Sequence, residues 1–456
     1  MNEGRRVAFL SEHASPVALL GSEDAGGQNV YVDEVSRNLA RQGYNVDIFT
    51  RRDDPRAPEV IQWVSGVRVI NLTAGPAEFL LKDDLWPYMP QFRDAALDFM
   101  ARDGASYDLL HGNFWMSGWA ATELRRRLGI PMVQIFHAMG KTKRHYQGCA
   151  DSSPGERIEI ETAIIHAADR LIAQCPGEQA ELVDEYGADP RKVAVIPSAV
   201  NTKVFRPVAR EEARRVVGVG PDDFVVVYVG RLLPRKDVRN VVRGVAHLIG
   251  ICKNMLPSAV EGITLLIVGG NTVEPDPHAT PEIAELQRVA AELGIASHVR
   301  FVGKRQQDTL RYYYSAGDVA VTTPWYEPFG LTPLEAMACG RPVVGSAVGG
   351  ITHTVACGKT GFLVPPRDPE MLAARLYHLL IEPELRQRMG RAARRRVEAD
   401  FTWPMVATRT ARLYEDLLAD AYLLSNASAF RRGGASPRPA STHLRPMRGG
   451  ECRGAG

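Results

Sequence analysis

The chain has no apolar run approaching 18 residues, so no helix is expected to cross a membrane. Its opening stretch, MNEGRRVAFLSEHASP, holds too short an apolar segment for a signal peptide. Cysteine is sparse and scattered. Cys149, Cys175, Cys252, Cys339, Cys357 and Cys452 form no CxxC pair. That spacing argues against a disulfide framework and a zinc site, and points to reduced thiols in a cytoplasmic protein. Excess charge is missing too. The net charge is +2, and the segment from Ser425 onward carries six Arg and one Glu, which leaves the rest slightly acidic. A folded body with that balance is not expected to bind nucleic acid broadly.

What is present is the composition of a soluble globular protein, 45% hydrophobic and 24% charged, in a chain of 456 residues that is too long for one core. Short apolar runs alternate with helical patterns. RVAFLSEH, VDIFT, YDLLHG, MVQIFH, RLIAQ and KVAVIP read as strands in the first half. Between them, QNVYVDEVSRNLARQGY reads as a helix with Val32, Val35 and Leu39 on one face, and further helical patterns fall near 115–127, 155–168 and 177–186. The plan restarts after NTKVFRPVAREEARR with DFVVVYVG, ITLLIVGG, VRFVG, DVAVTT and RPVVGS. This predicts two α/β domains with parallel sheets covered on both faces. Residues 1–205 make the first and 206–400 the second, with a linker near 203–210. A helix over 401–424 is expected to return to the first domain, and 425–456, rich in Gly, Pro, Ser and Arg, reads as a disordered basic tail. Ligands of such sheets bind at the carboxyl ends of the strands, so the natural site is the cleft between two facing domains.

Four segments fall on those edges. GSEDAGGQNVYV places Gly26 and Gly27 just before a helix, where backbone amides and the helix dipole favour an anion. It is not GxGxxG, so a dinucleotide cofactor is disfavoured, and a plain glycine turn is the other reading. VGRLLPRKDV places Arg231 and Lys236 after a strand, as phosphate ligands or as a solvated basic loop. His137 ends the strand QIFH, as a ligand contact or a satisfied structural residue. PWYEPFGLTPLEAMACGRPVV carries Glu327 in a loop and Glu335 eight residues on. Thr332, Pro333 and Glu335 have the spacing of a capping box ended by Gly340, which would make Glu335 a purely structural residue. Carboxylates for hydroxyls and cations for phosphates together describe a nucleotide sugar.

In this order the segments resemble the retaining GT-B glycosyltransferases of the sucrose synthase, sucrose-phosphate synthase and mycothiol glycosyltransferase group, family 4, group 1. EPFGLTPLE is similar to their E-x7-E motif and GRLLPRK to their phosphate-binding segment. DAGGQNVYV, HGNFWMSG and FHAMGKTKR resemble further segments, and the likeness spans about residues 5–415. It implies a GT-B fold of two Rossmann-like doubly wound domains. It also implies transfer of a hexose from a nucleotide sugar, UDP-glucose above others, to a small-molecule or lipid-linked hydroxyl acceptor. The nucleotide sugar is a co-substrate and no cofactor is expected. By the same resemblance Glu335 holds the ribose, and Glu327 and His137 the donor sugar. Arg231, Lys236 and the amides of Phe329, Gly330 and Leu331 hold the diphosphate, with Gly26 and Gly27 beside it. No Asp-x-Asp occurs in the chain, so a metal clamp lacks its usual ligand.

The chain departs from the family in three places, one of them IPSAVNTKVF, which replaces the more common Asn-Gly-Val-Asp type of linker entry. Asp237 stands where Gly is usual. Phe114 and Ala138 stand where the mycothiol enzyme uses Tyr and Thr for the acceptor phosphate, with Lys82, Lys141, Lys143, Arg144 and Arg157 as substitutes. The acceptor is therefore open among fructose, a sugar phosphate, inositol phosphate and a lipid-linked sugar. A UDP-sugar epimerase and a catalytically inactive nucleotide-sugar sensor are the competing functions. The basic helix RAARRRVEAD reads as a solvated face or a peripheral membrane contact.

Overall fold

The computed structural model describes residues 4–17 and 26–432. Eight strands form the first sheet: β1 (Arg6–Leu10), β2 (Asn45–Arg51), β3 (Val60–Val64), β4 (Val67–Leu72), β5 (Leu109–Asn113), β6 (Met132–Ile135), β7 (Arg170–Ala173) and β8 (Val193–Val195). Their order is β3-β4-β2-β1-β5-β6-β7-β8, and all pair in parallel except β3 with β4. The second sheet has β9 (Phe224–Val229), β10 (Ile263–Val268), β11 (Val299–Gly303), β12 (Val319–Thr322), β13 (Val343–Ser346) and β14 (Gly361–Val364) in the order β11-β10-β9-β12-β13-β14. All its ladders are parallel.

Burial explains the sequence pattern. Every residue of β9, FVVVYV, is buried, because helices cover both faces of a parallel sheet. Val32, Val35 and Leu39 all lie against the first sheet on the helix Gly27–Ala40. β3, β4 and β14 escape the strand–helix alternation for physical reasons. β3 is a partly exposed edge strand joined to β4 by the tight turn at Gly66, with no helix between them. β14 is preceded by a helix of only four residues, Ile351–Thr354, too short to leave a helical period in the sequence.

After the second domain the chain crosses back. The helix Trp403–Arg432 begins beside Val200, which pairs with Thr402, and buries Trp403, Val406, Tyr414 and Leu417 in the core under the helix Gly27–Ala40. The expected end of this helix at 424 is corrected: it runs to Arg432, and the sequence offers no Pro or Gly to stop it before Gly433. The remainder of the expected tail, 433–456, lies outside the described residues. Among the described residues no helix is long and apolar enough to cross a membrane.

Candidate functional site

Each sheet reverses its strand order once, between β1 and β5 in the first and between β9 and β12 in the second. The carboxyl ends at these switch points are where the sequence-derived residues fall. Backbone strain gathers on the same edges. Among the described residues four non-glycine residues have positive φ. Three of them follow strands at these edges: Phe114 (φ 78) after β5, His137 (φ 62) after β6 and Asp237 (φ 49) after β9. Left-handed backbone in such residues persists only where its surroundings hold it. Asp237 thus adopts the conformation that glycine supplies more cheaply.

On the second domain, the 3-10 turn Pro234–Lys236 after β9 faces the loop after β12. Lys236 Nζ donates to Glu327 Oε2, and Arg235 Nη1 stands 3.9 Å from the same oxygen. Burial would raise the Glu327 carboxyl, but Lys236 and then Arg235 outweigh it and hold the group below its ordinary range. The charge of Arg231 adds to this field, and its carbonyl accepts a hydrogen bond from the Tyr228 hydroxyl at 2.9 Å. Glu327 is therefore an ionised carboxylate within a cluster of cations.

The loop then turns through Phe329 and Gly330 into the helix Leu331–Ala338. Gly330 (φ 86) is the cap. The expected capping box is corrected. Thr332 and Pro333 already lie inside the first turn, where Pro is tolerated because early amides have no helical partner. Glu335, the fifth helical residue, cannot reach the cap amide. Instead its Oε2 accepts a hydrogen bond from Tyr314 at 2.8 Å, and burial, only partly offset by that bond, pushes the carboxyl up to about 7. Gly340 (φ 73) ends this helix.

On the first domain, His137 Nε2–H donates to Asn113 Oδ1 and its Nδ1 accepts from Gln174 Nε2, each at 3.2 Å. Burial, then the neighbouring His111 and His13, push this imidazole down to about 3, so the ring is neutral. Gly26 caps the helix Gly27–Ala40, and its amide already donates to Asn29 Oδ1 at 2.9 Å. The preceding part of the glycine loop, residues 21–25, lies outside the described residues.

The two edges meet. A methyl group placed on Gly27 would lie 3.3 Å from Leu331 Cδ1. Tyr146 stacks on Tyr326 at 5.1 Å, and Gln147 Nε2 donates to the Tyr326 hydroxyl at 3.0 Å. Glu335 and Leu331 share an interdomain pocket with Glu34, Asn201 and Trp403.

The residues weighed for an acceptor are not gathered in the same way. Lys143 is buried among Asp151 at 3.0 Å, Asp83 at 3.4 Å and Ser153 at 2.8 Å. Arg157 is 1% exposed and donates to Glu161 and to the Ala138 carbonyl, with Phe114 stacked at 5.1 Å. Both guanidinium and ammonium are thus engaged by the protein itself. Lys82 opens the short turn Lys82–Asp84, and Arg144 is exposed on the helix Gly140–Gln147.

Sequence reasoning passed over Arg235, Tyr326, Tyr314 and the pair Gly349–Gly350. The Gly350 amide donates to the Glu327 carbonyl at 3.0 Å. A Cβ at Gly349 would fall 2.1 Å from that carbonyl oxygen, and one at Gly350 would fall 2.3 Å from Phe329 Cα. The signal was legible: a further Gly-Gly in the loop that follows the strand RPVVGS.

Comparison with known proteins shows the family. Residues 25–204 match the family model described as Glycosyltransferase Family 4, and residues 209–396 match that of Glycosyl transferases group 1. A D-inositol 3-phosphate glycosyltransferase of Catenulispora acidiphila is 39% identical over 91% of this chain and 96% of its own length. The enzyme of the same name from Corynebacterium efficiens is 37% identical over 90% and 95%. Among solved structures, sucrose-phosphate synthase from Thermosynechococcus elongatus superposes with a TM-score of 0.80 at 35% identity, over 91% of this chain and all of the other. The chain belongs to the group 1, family 4 glycosyltransferases and has their GT-B fold.

Proposed function

We propose that this glycosyltransferase moves a hexose, glucose above others, from a UDP-linked donor to a hydroxyl acceptor, with retention of configuration and without a metal ion. The observation that carries the reading is the ion pair of Lys236 with Glu327 at the second switch point, beside Arg231 and the cap of the helix Leu331–Ala338. A diphosphate arriving here offers Lys236 and Arg231 a more highly charged partner. Glu327 is then released to accept hydroxyls of the donor sugar, and the amides of Phe329, Gly330 and Leu331 face the diphosphate at the positive end of a helix. Glu335 accepts the ribose hydroxyls. His137, neutral across the working range, serves the sugar as a hydrogen-bond partner and not as an acid.

In the proposed step the bond from C1 to the diphosphate oxygen breaks while a bond from C1 to the acceptor oxygen forms on the same face. The acceptor's proton passes to the departing phosphate oxygen. Lys236 and Arg231 meet the charge that grows there. Glu327, engaged with sugar hydroxyls, is poorly placed for the double displacement that two carboxylates perform in retaining glycosidases. The names of the relatives, a D-inositol 3-phosphate glycosyltransferase and a sucrose-phosphate synthase, support a phosphorylated polyol or sugar as the acceptor class, with Arg144 and Lys82 as its proposed phosphate contacts.

Incubation with radiolabelled UDP-glucose and a panel of phosphorylated sugars, inositol phosphates, fructose and lipid-linked sugars tests this. An α-linked glycoside by proton NMR, formed equally in EDTA, is expected. Lys236→Ala should cut kcat by roughly 100-fold or more, far beyond what any accompanying loss of folded protein accounts for. A β-linked product, a glycosyl-enzyme adduct, or donor epimerised without transfer would overturn the reading.

A further inference from the structure

The amino edge of the second sheet, at the opposite ends of the strands from the cleft, holds a pocket of about 500 Å3. Asp318, just before β12, and Arg341 and Pro342, just before β13, form its floor. Six arginines line it, Arg210, Arg341, Arg386, Arg391, Arg394 and Arg395, against the single carboxylate of Asp318. That carboxylate is fully engaged. It is 1% exposed and binds Arg210 at 2.7 Å, Arg214 at 2.8 Å, Arg386 at 3.5 Å and the Val225 amide at 2.9 Å. Arg394 is held by Glu398 and by the carbonyls of Phe205 and Ala338.

Nothing comparable answers the other three. Among the described residues no hydrogen bond or ion pair reaches the side chains of Arg341, Arg391 or Arg395, and Arg341 Nε is a buried donor without an acceptor. Arg391 and Arg395 are exposed, whereas a charged donor buried without an acceptor, as Arg341 Nε is, is costly. Guanidinium forks match the oxygens of a phosphate in pairs. Arg391 and Arg395, one turn apart on the helix Pro383–Asp400, stand at the mouth of the pocket.

We propose that this pocket is a second anion site that binds a phosphate monoester, carried by a soluble metabolite or by a lipid headgroup. It lies apart from the donor edge and requires nothing of the donor assignment. Pro207 of the interdomain linker and Gly340, which ends the helix bearing Glu335, also line it, so the bound anion contacts both.

The test is calorimetric titration of the full-length protein with glycerol 1-phosphate, UDP being present at saturation to occupy any phosphate site in the cleft. In parallel, the protein is co-sedimented with vesicles of phosphatidylcholine alone or containing phosphatidic acid. The wild type is compared with Arg391→Ala/Arg395→Ala and with Arg341→Gln. Glycerol 1-phosphate is expected to bind the wild type and to bind either variant at least about tenfold more weakly, with UDP affinity and melting temperature unchanged. Phosphatidic-acid-dependent sedimentation that the variants lose, without binding of glycerol 1-phosphate, would assign the site to a headgroup. Absence of binding to either probe, or equal binding by wild type and variants, would overturn the proposal.

Discussion

Glu335 carries the clearest consequence at the scale of single residues. Its spacing from Thr332 and Pro333 is that of a cap partner, yet it lies within the helix and turns its carboxylate to Tyr314 and the interdomain pocket. Burial holds its proton more tightly in the folded state than in the unfolded chain. The resulting stability is complete below the ordinary value of 4.5 and is lost as pH rises through about 7. Relative to Glu335→Gln, the wild type should therefore lose on the order of 1–3 kcal/mol of unfolding free energy between about pH 4 and about pH 8. Urea unfolding of both proteins at the two pH values measures this, and a difference independent of pH would contradict it. The same variant should bind UDP roughly tenfold more weakly, because it offers a ribose one poorer acceptor. A capping role predicts neither effect. The helix with Glu335, and Glu327 in the loop before it, were legible in the sequence. The cap was not, because a Thr-Pro pair fits inside a first turn as well as before it, and only the left-handed Gly330 decides between them.

At the scale of elements, the loop from Glu327 to Leu331 is shaped by contacts distant in sequence. The Gly349–Gly350 turn after β13 lies so close beneath it that neither glycine has room for a side chain. Gly350→Ala should push the loop away from Lys236, lower stability by roughly 1–3 kcal/mol and reduce activity more than tenfold. Thermal melts with initial rates on the proposed UDP-glucose reaction read both quantities, and an active, fully stable variant would show that the loop has slack. Lys143 and Arg157 make the complementary case. As sequence they are basic residues in a segment similar to an acceptor-binding region. In the fold they are counter-ions to Asp83, far away in sequence, to Asp151 just beyond the helix that bears Lys143, and to Glu161 on the next helical turn from Arg157.

At the scale of the whole molecule, the last helix joins the end of the chain to its beginning. Trp403, Tyr414 and Leu417 are buried against Tyr31, Val35 and Tyr44, Arg5 pairs with Glu415 at 3.0 Å, and His111 meets the Tyr414 hydroxyl. Each large apolar side chain so buried stabilises the fold by roughly 1.5–3 kcal/mol. A chain ending at Phe401 should therefore expose the core of the first domain and precipitate. Soluble expression with an intact melting transition would contradict this. The contacts of Tyr326 with Tyr146 and Gln147 bring the two edges together on the cleft side.

By itself the sequence determined the two-domain α/β plan, the strands that carry it and the segments that reach the cleft. Buried parallel strands need long β-branched runs, and switch-point loops need glycine and charge; both requirements are local and leave a local record. It also placed Glu327, Lys236, Arg231 and His137 at strand ends or in the loops after them, and Glu335 in the helix that follows Glu327. Only the tertiary structure decided which charges meet. Lys236 with Glu327, Glu335 with Tyr314, and Arg157 with Ala138 are pairings between segments whose relative position no local rule encodes. The same holds for the pocket of arginines. Arg210 opens the helix Arg210–Val217, Arg341 stands in a loop and Arg391 and Arg395 lie on a second helix, and they converge only because three connections end at one edge of one sheet.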